Sequence, residues 1–199
     1  MGVLIGQSLA CRGFMKKWVL LLLLSLFLHQ QVSWAENAYK IVIKRSENKL
    51  LVQKNDKVIR SYHAAIGSGG RKAKQKEGDR LTPLGSYHIV KIKDSERFHL
   101  FLQLDYPSVR DAINGLKAGH IKKSQYRRIL DAHIFGGIPP QNTALGGVIG
   151  IHGIGVETKD KLEIHRIANW TQGCIALRNK EIDELLTFVR VGTEVKIME

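Results

Sequence analysis

The chain has 199 residues, 44% hydrophobic and 25% charged, which suits one globular domain and excludes a disordered chain. Its 31 Lys and Arg against 18 Asp and Glu give +13, a charge that draws anions such as nucleic acid, acidic lipid or an acidic polymer. Two cysteines, Cys11 and Cys174, are too few for a disulfide framework or a multi-thiolate zinc site.

Residues 1–35 read as a secretory signal peptide. Lys16 and Lys17 precede the apolar run Trp18 to Leu28, about half the roughly 20 residues that span a bilayer, and Ser33 and Ala35 are small residues that suit signal peptidase. Cleavage after Ala35 is expected, with Met15 the start of a signal of ordinary length, leaving an exported, periplasmic domain from Glu36 to Glu199. Removing Arg12, Lys16 and Lys17 leaves 28 basic and 18 acidic residues, or +10, so the basic character belongs to the domain. Export argues against nucleic acid as a partner. It favours the outer face of the inner membrane or the anionic peptides of the wall. Cys174 is then a lone thiol in an oxidising compartment, either inert and buried or kept for its chemistry.

Alternation predicts strands over Tyr39 to Arg45, Lys49 to Lys54 and Val58 to Gly67, joined as an antiparallel meander with a turn at Asn55 and Asp56. Gly67 to Gly85 is rich in Gly and charge and reads as an exposed, solvated connection. Strands return at Ser86 to Lys93 and His99 to Leu104. Between Ser108 and His133 Val109, Ile113 and Leu116 take helical spacing, and Ile121, Tyr126 and Ile129 continue it beyond Gly119, a helical insertion between strands. Gly136 to Gly147 is a loop and Val148 to Gly153 a buried strand. Asn179 to Val189 is a helix that Asn179 caps, with Ile182, Leu185, Leu186 and Val189 on one apolar face, and Glu194 to Met198 is a last strand.

Chemistry concentrates in the last third. His152 ends an apolar strand, and Cys174 follows 22 residues later in Thr171 to Asn179, TQGCIALRN, just before the last helix. Gly173 permits a sharp turn that exposes the thiol, and the N–H groups of Gly173, Cys174 and Ile175 are candidates for an oxyanion hole. An ordinary thiol, with a pKa of about 8.5, needs an imidazole or a positive field to become a thiolate. His152 is the candidate base: Gly153 leaves its ring free at the rim of a sheet, with one ring nitrogen on a backbone carbonyl. Six other histidines lie beyond Ala35, so position alone does not select it. His152, His165 and Cys174 have no recognised metal-site spacing.

These residues resemble the L,D-transpeptidase catalytic domain family of the YkuD type, whose pattern is His-Gly followed about twenty residues later by Ser/Thr-x-Gly-Cys. GDRLTPLGSYHI, Gly78 to Ile89, is similar to the family's Gly-x-x-x-Thr-Pro-x-Gly-x-Tyr segment, and LGGVIGIHG, Leu145 to Gly153, to its histidine strand. The resemblance spans nearly all of residues 36–199. It implies a mainly β fold with a few helices, a β-sandwich or barrel with a helical insertion, and no metal or cofactor. It also implies that Cys174 is the acyl-accepting nucleophile, His152 its base and the Gly153 carbonyl the orienting group. Thr171 and Gly173 would shape the nucleophile loop. The partners implied are peptidoglycan stem peptides, with the peptide attacked next to its D-alanine.

Two departures stand out. Many members have His before Gly-Cys and Arg two residues after the Cys, where this chain has Gln172 and Ala176. Arg178 is the remaining candidate to hold a substrate carboxylate. TQGCIAL is closer to the branch that includes enzymes cutting wall linkages, so a hydrolase of the stem peptide or of a wall-attached protein stays beside the transferase. A noncatalytic basic wall-binding module with an inert Cys174 is the alternative of a different class. A sortase-like enzyme fits poorly, because sortases place His much further from Cys.

Overall fold

A computed structural model describes residues 39–199; the expected signal peptide and Cys11 lie outside the described residues. The first three strands are β1 (Tyr39–Lys44), β2 (Lys49–Lys54) and β3 (Lys57–His63), an antiparallel meander. β4 (Gly85–Ser95) and β5 (His99–Leu104) form a hairpin, followed by α1 (Val109–Lys117) and α2 (Lys123–Ile134). β6 (Gly150–Gly153), α3 (Lys159–Ile167), β7 (Ile175–Leu177), α4 (Asn179–Leu185) and β8 (Glu194–Met198) complete the chain.

The eight strands form one mixed sheet in the order β3-β2-β1-β8-β4-β5-β6-β7, parallel at β1–β8 and β6–β7. β4 serves both halves: Gly85 to His88 pair with β8 and Ile89 onward with β5, across an irregularity between Ile89 and Lys91 that bends the strand. The two edge strands then meet through residues just after β3. Ala65 and Ala176 exchange both backbone hydrogen bonds, at 3.1 and 2.8 Å, and Gly67 bridges to Thr171. The sheet is thereby curled nearly into a barrel, and its seam lies beside Cys174. Ile41, Leu50, Tyr87, Leu102, Ile151 and Leu177 are among the fully buried side chains of the main core.

Several elements differ from expectation. The predicted third strand ends at His63, because Ala64 to Gly67 leave the β2 ladder to make the seam. In α1 the buried residues are Ala112 and Gly115, while Ile113 is exposed; a Cβ on Gly115 would sit 2.5 Å from Leu145 Cδ2, so this face needs small residues. A helix that the sequence reading missed, α3, is capped by the Thr158 hydroxyl, which accepts from Lys161 N at 3.3 Å. Asn179 does not cap α4, which begins after Arg178. The Asn179 side chain instead clamps the Gly155 backbone, donating to its carbonyl and accepting from its N–H.

The stretch from Gly67 to Gly85 is not a merely solvated connection. Leu81 and Thr82 are buried, and the Asp79 carboxylate accepts from the N–H groups of Gln75, Lys76 and Leu81 and pairs with buried Lys74 at 2.7 Å. Polar anchors hold this loop, which is why no apolar period announces it. From the sheet side Arg45, whose side chain is fully buried, donates to the carbonyls of Arg71, Lys72 and Thr82 and pairs with Glu199 at 3.0 Å. Among the described residues no helix is long and apolar enough to cross a membrane.

Arg45→Met leaves those three carbonyls without their donor. Urea unfolding should report a loss of about 3 kcal/mol, and trypsin should cut first within residues 71–80. A variant cut no faster than the parent would contradict this anchoring.

Candidate active site

The site is assembled by strand register. His152 faces Phe101 across the β5–β6 ladder and Ala176 across the β6–β7 ladder. Side chains alternate along a strand, so Cys174, two residues before Ala176, emerges on the same face as His152 and about 7 Å back along the strand direction. Ile151 and Ile175 point the other way, into the main core. Cys174 was expected just before a helix; it precedes the three-residue strand β7, and this strand fixes its register against His152.

His152 is 2% exposed. Its Nδ1 lies 2.7 Å from the Gly153 carbonyl oxygen, which can only accept, so Nδ1 carries the proton and Nε2 keeps its lone pair. Aromatic rings brace the imidazole: Phe98 at 4.2 Å between centroids, Trp170 edge-on at 5.9 Å and Phe101 nearly parallel at 6.3 Å. Burial pushes the imidazole pKa down to about 4; the Gly153 carbonyl opposes this, and the charges of Arg97 and Lys161 add to it. No residue pattern marks Phe98 or Trp170 as parts of the site, because each is brought in from a separate loop.

Cys174 is half-buried, and its Sγ lies 3.5 Å from the Val148 carbonyl oxygen. Burial pushes the thiol up to about 11, against weaker opposing effects of the Gly150 N–H and the Lys74 charge. Cys174 and His152 therefore rest as neutral thiol and neutral imidazole. Dry surroundings disfavour both charges of a thiolate–imidazolium pair.

Thr171, 3% exposed, braces the nucleophile loop by donating from Oγ1 to the Cys174 carbonyl at 2.6 Å and accepting from Gly173 N at 3.1 Å. The Gly173 N–H is thus occupied, and the Ile175 N–H points into the β6–β7 ladder, so of the three candidates for an oxyanion hole only the Cys174 N–H remains. Gly173 has φ +126, and a Cβ there would lie 2.8 Å from the Leu81 carbonyl oxygen, so glycine is required on both counts. Arg178 does not join the group: it sits exposed beyond the far end of β7, roughly 13 Å along the strand from Cys174. Ala176 is fully buried in the seam, where an Arg would not fit. Val148 was expected in a buried strand but is 52% exposed with φ +54, and β6 begins only at Gly150. No cluster of three or more His, Cys, Asp or Glu among the described residues could hold a metal ion.

Residues 38–197 match the family model of the L,D-transpeptidase catalytic domain, YkuD. The fold is similar to that of the helical cell shape determining protein Pgp2 from Campylobacter jejuni, at 18% identity and TM-score 0.52, over 82% of this chain and 48% of that one. It is likewise similar to Bd1075 from Bdellovibrio bacteriovorus, at 20% identity and TM-score 0.51, over 82% and 49%. The chain spans about half the length of these solved chains, and at such identities the likeness is one of fold. No curated protein sequence matches the chain.

His152 and His165 are both buried, and both have their pKa pushed down to about 4, by burial first. The unfolded chain takes up protons on them near pH 6.5 and the folded chain only near 4, so stability is full above about 6.5 and falls as pH drops to 4. His152 alone should account for about 3 kcal/mol of this loss. Thermal unfolding followed from pH 7 to pH 4.5 should show a falling midpoint, with a shallower slope in His152→Gln; an unchanged slope would contradict the burial of a neutral ring.

Proposed function

Since the chain belongs to the L,D-transpeptidase catalytic domain family, we propose that it is a peptidoglycan L,D-transpeptidase whose nucleophile is Cys174 and whose base is His152. The observation that carries this reading is the register of β6 against β7. It sets a half-buried thiol and an imidazole with a free Nε2 lone pair on one face, with Nδ1 held by Gly153.

The substrate on this reading is a stem tetrapeptide, at the carbonyl of the diaminopimelate L-centre joined to D-alanine. The Sγ–H bond breaks as Sγ attacks this carbonyl, and the proton passes to His152 Nε2. The Cys174 N–H is the candidate to receive the developing oxyanion. Collapse breaks the bond to D-alanine, whose amine takes the proton back from Nε2, and a thioester remains. An acceptor amine then attacks the thioester, gives its proton to Nε2 and forms the crosslink, and Sγ leaves as the thiol with that proton. With water as acceptor the same steps hydrolyse the peptide. No step calls for a metal or cofactor.

The small buried Ala176, where many members carry Arg, favours hydrolysis as the second reading, either of the stem peptide or of a protein attached to it. The +10 domain left by cleavage after Ala35 would be steered toward anionic stem peptides in an exported, periplasmic setting, and toward the outer face of the inner membrane by the same charge.

Incubation with defined muropeptides and amine acceptors, resolved by mass, tests the reading. Loss of D-alanine with dimer formation is expected, and Cys174→Ala and His152→Ala should each lower turnover at least 1,000-fold. Products of hydrolysis alone at every acceptor concentration would discard transfer. Full function in Cys174→Ser, together with a Cys174 thiol in the parent that resists alkylation, would leave the wall-binding module.

A further inference from the structure

Val148 is a β-branched residue at φ +54, a left-handed and strained conformation that such residues rarely adopt. Strain of this kind persists only where surrounding contacts impose it. Here the contact is a single side chain. Gln141 Oε1 accepts from Val148 N at 2.6 Å and from Gln103 Nε2 at 3.3 Å, while Gln141 Nε2 donates to the carbonyls of Tyr106 at 2.8 Å and Pro139 at 2.7 Å. Both donors and both acceptor positions of the amide are used, so its orientation is fixed. Gly147, the next residue back, packs so closely that a Cβ would lie 2.3 Å from the Gln141 carbonyl oxygen.

The strained peptide has one consequence at the site. With Val148 held this way its carbonyl faces Cys174 Sγ at 3.5 Å and accepts the thiol proton. We propose that Gln141 is a positioning residue for the nucleophile: by holding Val148 in its strained conformation it keeps the Val148 carbonyl on the Cys174 thiol, which rests protonated until substrate displaces that contact. The inference rests on Cys174 being the nucleophile.

The two backbone groups near the sulfur act in opposite senses. The Val148 carbonyl favours the thiol and the Gly150 N–H favours the thiolate, from positions two residues apart at the start of β6. The charge that acts on the sulfur is Lys74, paired with Asp79, on the loop after β3, and His152 on β6 shares its face by register. None of these is touched by Gln141. A neutral thiol is also the form that resists oxidation, since oxidants attack the thiolate.

The test is the pH dependence of iodoacetamide alkylation of the full chain, read by mass spectrometry on the peptide that contains Cys174, in the parent, Gln141→Met and Gln141→Asn. Met keeps the length without the hydrogen bonds, and Asn keeps the amide but is one methylene short. Freed of the Val148 carbonyl, the thiol should titrate about half a pH unit to one unit lower in either variant that melts cooperatively, with the high-pH plateau rate within twofold of the parent. An unchanged midpoint in a folded variant overturns the assignment. A lowered midpoint with a plateau several-fold higher overturns it too, because that is the signature of a loop opened to solvent. A parent thiol inert at every pH would instead remove the nucleophile itself.

Discussion

The site depends on the seam that closes the sheet. Ala65 and Ala176 are both fully buried and bonded to each other through both backbone pairs, so the strand that follows the nucleophile is held on one side by β6 and on the other by the residues after β3. A three-residue strand such as β7 would be a weak element alone. Caught between two neighbours it becomes a rigid mount, and Cys174 inherits its register from both. Both alanine side chains are fully buried, so their surroundings leave no open space at position 176 for a side chain as long as Arg.

Rigidity on the open side of the nucleophile has a different origin. The loop from Gly67 to Gly85 buries little apolar surface, and its order comes from polar groups satisfied one by one: Asp79 gathers three backbone N–H groups and Lys74, while Arg45 gathers three carbonyls from below. Its inner end then lies against the nucleophile loop. Gly67 N donates to Thr82 Oγ1 at 2.9 Å, Ser68 N to the Thr171 carbonyl at 3.0 Å, and the Leu81 carbonyl presses on Gly173. The loop is therefore part of the wall around the thiol. Its buried ionic groups demand partners with good geometry, which favours one arrangement over many.

How far the sequence could reveal this follows from the kind of force involved. Strands with an apolar face and the second helix of the insertion were legible because burial imposes a period on the side chains, whereas the first helix buries Ala112 and Gly115 instead of Ile113; the His-Gly and Thr-x-Gly-Cys segments stand out as local motifs. α3 was not legible: KDKLEIHRI is mostly charged, and only a few side chains such as Leu162 and His165 turn inward. The Asp79 and Arg45 networks bind backbone atoms, which any sequence supplies, so no residue pattern marks their partners. Phe98, Trp170 and Gln141 reach the site from three separate loops. The exposure and strain of Val148 come from a tertiary contact that overrides its strand propensity.

The protonation of the pair links this architecture to chemistry. An imidazolium among Phe98, Phe101 and Trp170 and a thiolate on the half-buried Cys174 would each lose hydration, and the pKa directions of Cys174 and His152 both oppose that ion pair. A nucleophile in such a place is activated as it reacts: charge appears on sulfur only while it is being spent on the new bond, and the imidazole takes the proton in the same event. The Gly153 carbonyl on Nδ1 suits this sequence, because it fixes the tautomer beforehand and stabilises the imidazolium once formed without adding a permanent charge. A carboxylate in that position would raise the imidazole pKa and favour a charged ring at rest. A neutral carbonyl partner and a buried thiol are thus two consequences of one condition, that the site stays uncharged until a substrate carbonyl arrives.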